Sequence, residues 1–115
     1  MLSSGVIAGS IFDGRYSDPN HPEGFREIKI DGDVDPNTGF QSGTCVGSDT
    51  SSTEPDWTLT AKAGQTETFD EIVIDFSPKG GPADFIGRFE SEGGEGIRWL
   101  ADNNKWPKVS DIFLQ

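Results

Sequence analysis

The sequence predicts an all-β domain, and the simplest architecture is a small antiparallel meander barrel or a strongly curled sheet. Several short segments alternate apolar and polar residues with the two-residue period of a strand. Turn-forming residues separate these segments at intervals of about ten residues, as in all-β barrels and sandwiches. Helix formers are scarce, since the chain of 115 residues contains one Met but 15 Gly. Consecutive strands joined by short loops favour a meander, and a β-sandwich is the alternative.

The N-terminal part of the chain is predicted to contain two strand segments separated by a loop. Residues 6–12 are apolar and are typical of a first strand or a docked arm. Residues 16–24 carry two prolines, which exclude a helix, together with Asp18 and Asn20, whose side chains stabilise turns. This segment is therefore predicted to be a loop, and residues 25–31 are predicted to form the next strand.

The rest of the chain is predicted to alternate strands and turns. Residues 57–63 show the clearest pattern, because every second side chain is apolar and the intervening ones are Thr or Lys. A turn at Gly64 and Gln65 is predicted to lead into the following strand as a hairpin. Pro107 lacks an amide hydrogen and places the last strand at a sheet edge. The predicted strands are residues 43–47, 57–63, 68–76, 85–90, 97–100 and 105–109.

Length and charge define the class of protein. A chain of this length forms one domain, so residues 1–115 are predicted to be a single all-β unit in which residues 1–11 are an arm or a processing remnant.

The formal net charge of −11 argues against nucleic acid and anionic membranes as partners, because clustered Lys and Arg bind both. A negative surface can steer the protein towards a partner with a basic docking surface, and the alternative is that the charge serves solubility alone. The single Cys45 excludes an intrachain disulfide, and no apolar run suffices for membrane insertion.

Four segments of the chain together form a distinctive set of sequence motifs. They are Gly14-x-Tyr16-Ser17-Asp18-Pro19-Asn20-His21-Pro22, the strand of Trp57, Asp75-Phe76-Ser77-Pro78-Lys79-Gly80-Gly81-Pro82, and Asn104-Lys105-Trp106-x-Lys108. Together they resemble a group of small, mostly uncharacterised plastid-type proteins of algae and plants, over most of the chain. The resemblance implies a plastid location, with the thylakoid as the candidate compartment, and a role as an accessory subunit in photosynthesis. It implies no catalytic residues. Asp102-Asn103-Asn104 stands where the group is expected to have an Asp-Gly-Asn turn.

Two proline-containing loops are predicted to be stiff enough to bind a partner. Residues 17–24 form the first loop, and residues 77–82 form the second, directly after a buried strand. Stiff loops lose little conformational entropy on binding. The alternative is that the loops only close the ends of the barrel. The partner-binding candidates are Tyr16, Asp18, His21 and Lys79.

His21 is the only histidine and the only candidate for a catalytic base. Ser17 and Asp18 lie nearby in sequence, but no nucleophile elbow or other triad context accompanies them. A lone histidine between prolines more often packs or hydrogen-bonds within its loop. No catalytic residue is therefore predicted, and a hydrolase that uses His21 is the least favoured hypothesis.

Three aspartates are a weak candidate for a metal site. Asp31, Asp33 and Asp35 offer oxygen ligands at alternate positions, which suits a hard cation such as Ca²⁺. An EF-hand loop requires Gly and Glu at the positions where this chain has Pro36 and Ser42. A solvated turn is the alternative, and no other cofactor is predicted.

The three tryptophans are candidates for lining a ligand cavity, and the alternative is that they belong to the core. They are Trp57, Trp99 and Trp106. A barrel of about eight strands can hold one small ligand. The leading hypothesis is a non-enzymatic accessory subunit that docks on a larger assembly, and the alternative is a small-molecule-binding barrel. A filled interior supports the first, whereas a cavity open at one end supports the second.

Overall fold

Eight antiparallel strands close into one barrel in the computed structural model, which describes residues 10–109. The strands follow one another around the barrel in chain order, and the last pairs with the first. The predicted antiparallel meander barrel is confirmed, and the β-sandwich alternative is wrong. Residues 1–9, which hold most of the predicted arm, lie outside the described residues. The strands are β1 (Gly14–Asp18), β2 (His21–Lys29), β3 (Gln41–Ser48), β4 (Trp57–Gln65), β5 (Asp70–Ile74), β6 (Phe85–Glu90), β7 (Gly96–Trp99) and β8 (Lys105–Val109).

Inward-facing side chains fill the middle of the barrel. In β4 the predicted alternation is confirmed, because Leu59, Ala61 and Ala63 are buried while the residues between them are exposed. β4 and β5 form the predicted hairpin, although Gly64 and Gln65 belong to the ladder and the turn follows them. The buried core comprises Phe12, Tyr16, Ile28, Ile30, Cys45, Leu59, Ala61, Ala63, Ile72, Ile74, Ile97, Trp99 and Trp106.

The first strand differs from the prediction. β1 and the start of β2 cover residues that the sequence predicts as a loop, and they pair with each other across a two-residue turn. β1 is short, and Tyr16 is the one apolar side chain on its inward face, so it lacks an alternating apolar pattern. Pairing with β2 on one side and β8 on the other supplies its backbone partners. The Tyr16 hydroxyl donates to the Phe12 carbonyl over 2.8 Å inside the barrel.

Pro107 does not mark a free edge, because β8 pairs on both sides. The amide of Lys108 donates to Glu95 on the β7 side, so the nitrogen of Pro107 faces β1. β1 pairs with β8 at Arg15 and Tyr16, which lie opposite Val109 and Lys108. Pro107 therefore lies one residue beyond the paired part of this ladder, where its missing amide hydrogen breaks no ladder bond.

A single turn of 3₁₀ helix, Ser77–Lys79, is the helical element of the described residues. It lies in the loop between β5 and β6 and ends at Gly80, whose φ of 85° favours glycine. Within residues 10–109, no helix has the length and apolar character needed to cross a membrane.

Candidate functional site

A pocket of about 250 Å³ opens at the end of the barrel where β1 turns into β2. The β1–β2, β5–β6 and β7–β8 connections meet there, so the pocket joins residues that are far apart in sequence. Four aromatic rings line its inner part, from Phe76, Phe85, Trp99 and Trp106. Its polar lining residues are Asp18, Asn20, His21, Arg26, Lys79, Asp102 and Asn104.

The aromatic lining is a packed cluster. Phe85 stacks on Trp99 with ring centroids 5.0 Å apart, and Trp99 meets Trp106 edge-to-face at 4.9 Å. Phe76 packs edge-to-face against Phe85 at 5.4 Å. Because each ring is held by its neighbours, the apolar surface is formed before any ligand arrives. Trp99 and Trp106 thus line this pocket and also belong to the buried core.

Arg26 lies beneath the polar side of the pocket and is only 2% exposed. Its Nη1 donates to the backbone carbonyls of Phe25 and Ser48, at 3.1 and 3.0 Å. Its Nη2 donates to Asp49 at 2.7 Å and to Asp18 at 3.3 Å. A buried guanidinium requires such partners, and these bonds tie the β1–β2 turn to the end of β3.

Sequence reasoning missed Arg26, although a signal for it exists. Arg26 and Ile28 alternate on one face of β2, and the buried Ile30 directly after the strand continues the pattern, so the arginine occupies a core-facing position. Its guanidinium lies 5.2 Å from the ring centroids of both Trp57 and Trp106. A charged residue at an inward position predicts a buried partner of opposite charge, which here is supplied by residues distant in sequence.

Lys79 closes the same network from the β5–β6 loop. Its Nζ lies 2.6 Å from Asp49 Oδ2 and 4.2 Å from the centroid of the Trp57 ring. Trp57 therefore packs against two cations and is not among the residues that line the pocket. Gly47 pairs with Trp57 across β3 and β4, and a Cβ there would approach the indole to 2.8 Å.

Asp18 and His21 occupy the β1–β2 turn at the pocket mouth. Asp18 is 5% exposed and accepts hydrogen bonds from the Asn20 amide at 2.9 Å and the Asn104 side chain at 3.0 Å. His21 Nδ1 lies 3.2 Å from the second carboxylate oxygen of Asp18. In the part of the chain that the structure describes, His21 pairs with carboxylates and Arg26, and no serine hydroxyl bonds to it. A Ser-His-Asp triad is therefore not assembled here.

The acidic members of this network stabilise the folded protein as carboxylates. Burial alone raises the pKa of Asp18, but hydrogen bonds from Asn20, Asn104 and His21 and the charge of Arg26 outweigh it, so the pKa lies below its usual range. Burial also raises the pKa of Asp49. Its hydrogen bonds to Lys79 and Arg26 and the positive charges of both residues outweigh burial, so this pKa too lies below its usual range. Because both folded-state pKa values lie below the unfolded values, this stabilisation is present above about pH 4 and is lost as pH falls.

We expect the free energy of unfolding to decline as the pH falls from about 4 through the folded-state pKa values, and Asp18→Asn to make that decline shallower. Denaturant titrations followed by tryptophan fluorescence at a series of pH values measure both slopes. Asp33→Asn, at an exposed turn position, is the control and should keep the wild-type slope. An acid decline of equal steepness in Asp18→Asn and the wild type would show that Asp18 does not carry this stabilisation.

The candidate calcium ligands lie at the opposite end of the barrel. Asp31, Asp33 and Asp35 are exposed in the β2–β3 connection, and Asp35 accepts a 2.8 Å hydrogen bond from the Asn37 amide. Among residues 10–109, no three His, Cys, Asp or Glu side chains are grouped to hold a metal ion. Calcium binding by these three aspartates stays a prediction.

Three of the four predicted partner-binding residues, Asp18, His21 and Lys79, line the pocket, whereas Tyr16 lies inside the barrel with its hydroxyl on the Phe12 carbonyl. Tyr16 and Asp18 are buried, the His21 side chain is 44% exposed, and Lys79 is paired with Asp49. His21 and Lys79 are therefore the two members that a partner could contact directly. Partner binding by this set stays a prediction.

No protein-family model, curated protein or solved structure matches this chain. Its functional assignment therefore rests on the residues of the pocket.

Proposed function

We propose that this protein binds a small, largely apolar molecule in the aromatic pocket at the open end of its barrel. The observation that carries the proposal is the pocket itself, about 250 Å³ in volume and lined by Phe76, Phe85, Trp99 and Trp106. Ligand sites are typically apolar concavities with a few placed polar groups, of about 300–1,000 Å³. The volume lies just below that range, so the ligand is smaller than a typical drug-sized molecule.

The network around Arg26 supports the proposal because it makes the pocket rigid. Asp18 and Asp49 bind the same guanidinium, and Lys79 binds Asp49 from the β5–β6 loop. Asn104 donates to Asp18 and so ties the β7–β8 turn to the β1–β2 turn. Connections held in place before binding lose little conformational entropy when a ligand enters.

Occlusion of the pocket mouth tests the proposal. Asn20 is exposed at the mouth, and only its backbone amide takes part in the hydrogen bond to Asp18. We expect Asn20→Phe to weaken the binding of small bicyclic aromatic probes by about tenfold or more, because the new ring occupies the entrance. Ligand-observed NMR titrations with a naphthalene carboxamide, a naphthalene carboxylate and a naphthylmethylammonium salt measure the affinities.

Asn37→Phe is the matched control. Asn37 occupies the same position in its turn, with its amide bonded to Asp35, but it lies at the opposite end of the barrel. Its substitution should leave probe affinity unchanged. The proposal is overturned if no probe binds saturably, or if both variants bind the probes as the wild type does.

An interaction subunit of a larger assembly is the second candidate, and the loop of residues 77–82 favours it. The loop is exposed, and four backbone hydrogen bonds within residues 76–82 order it in advance. The plastid and thylakoid setting comes from the resemblance of the sequence and stays a prediction. Native affinity purification with Ser77→Arg should lose a specific partner that Thr38→Arg, at the opposite end, retains. Equal recovery with both variants would exclude the loop from the interface.

A further inference from the structure

We infer that the molecule held in this pocket is uncharged: a flat, neutral, mostly aromatic compound with one polar edge that can donate and accept hydrogen bonds. The inference rests on the proposed function and concerns the ligand class alone. It follows from the balance of charge around the pocket and from the polar groups that the protein leaves unpaired at the mouth.

The charged groups of the pocket already neutralise one another. Arg26 is bound by Asp18 and Asp49, and Lys79 is bound by Asp49. Asp102 is the remaining charged carboxylate among the lining residues, and it is exposed at the rim. The four groups of the ion-pair network thus cancel and leave no unpaired buried charge to compensate a charge on the ligand.

An anionic ligand fits this arrangement poorly. The guanidinium of Arg26 spends both terminal nitrogens on protein acceptors, and Lys79 Nζ lies 2.6 Å from a carboxylate oxygen. An anion would have to displace one of these partners and leave a carboxylate uncompensated, which is strongly unfavourable at a buried position. The formal net charge of −11 adds a long-range repulsion.

A cationic ligand is disfavoured for a related reason. Asp18, the buried carboxylate of the pocket, already accepts from Asn20, Asn104 and Arg26. The indole of Trp106, which a cation would otherwise approach, has the Arg26 guanidinium 5.2 Å from its centroid. A second cation would be repelled by the first, and the buried carboxylate of Asp18 is already occupied.

Uncharged polar groups of a ligand, by contrast, find hydrogen-bond partners on the protein at the mouth of the pocket. Across residues 10–109, no hydrogen bond engages the Asn20 side-chain amide, and Asn104 uses only its Nδ2. These amides offer donors and acceptors at the rim of an aromatic surface. A ligand whose ring lies on Phe85 and whose amide, hydroxyl or carbonyl edge meets the rim satisfies both parts of the site.

The affinities of the three naphthalene probes test the inference. We expect the carboxamide to bind about tenfold or more tightly than the carboxylate of the same shape, and to exceed the ammonium by a similar factor. Equal or tighter binding of the carboxylate or the ammonium overturns the inference, while the Asn20→Phe result separately decides whether the pocket binds ligands. Absence of binding by all three probes overturns both.

A charge-altering variant provides an independent test. Lys79→Met removes one lining cation and leaves an acidic excess, so it should raise the affinity of the ammonium relative to the carboxamide by about tenfold. Lys62→Met makes the same chemical change on the exposed outer face of β4 and should leave the ratio at its wild-type value. An unchanged ratio in Lys79→Met would show that charge balance does not select the ligand.

Discussion

Arg26→Met is expected to lower the free energy of unfolding by about 3–5 kcal/mol, because it leaves buried carboxylate charge without its partner. Arg26 is 2% exposed and bridges Asp18 and Asp49, and its Nη1 bonds two backbone carbonyls. Methionine replaces the apolar stem but not the charge. Asp18 retains its bonds from Asn20 and Asn104, but the opposing charge is gone.

Chemical denaturation at neutral pH measures the loss, and Arg15→Met is the control. The Arg15 side chain is 47% exposed, and its Nη2 lies 4.0 Å from Glu27 Oε1. Arg15→Met should therefore lower the free energy of unfolding by less than about 1 kcal/mol. Adding Asp18→Asn to Arg26→Met should recover part of the lost stability, since the uncompensated charge is removed. A loss of less than about 1 kcal/mol for Arg26→Met would contradict the role assigned to this ion pair network.

Trp99→Ala is expected to lower the free energy of unfolding by about 3–5 kcal/mol, the range for truncating a fully buried large aromatic residue. Trp99 is 0% exposed and packs against three other rings, those of Phe76, Phe85 and Trp106. Removing the indole leaves a cavity beneath the pocket that these rings fill only partly. The same substitution should weaken probe binding, because Phe85 loses the surface on which it stacks.

Leu100→Ala is the neighbouring control, since Leu100 is 49% exposed. Its substitution should change stability by no more than about 0.5 kcal/mol. Thermal or denaturant unfolding followed by circular dichroism measures both variants without depending on tryptophan fluorescence. If Trp99→Ala were as mild as Leu100→Ala, the aromatic cluster would not be part of the core.

The Arg26 network stabilises the fold and also fixes the mouth of the pocket. Its members come from the β1–β2 turn, β2, the end of β3 and the β5–β6 loop. Weakening it should therefore alter stability and ligand binding together. Substitutions at exposed rim positions such as Asn20 change binding with little effect on stability, which allows the two roles to be measured separately.

The local pattern of the sequence was sufficient for the fold class and for most strands. Alternation in β4 placed Leu59 inside and Thr60 outside, and the predicted bounds of β6 and β8 match the structure. These strands could be predicted because alternation between a core face and a solvent face is recorded residue by residue within each segment. β1 could not, because its pairing partners lie in β2 and β8 and its own residues carry no such pattern.

The pocket depended on contacts between distant parts of the chain. Asp18 and Asn104 are 86 residues apart and meet only when the β1–β2 and β7–β8 turns reach the same end of the barrel. The alternation of side chains along β2 puts Arg26 on the inward face. Only the register between β2 and β3 brings its partner Asp49 within reach. Trp57 and Trp99 look alike as alternating strand residues, yet only Trp99 lines the pocket. Closure of the barrel assigns these roles, because strand order and register bring together side chains that no local pattern relates.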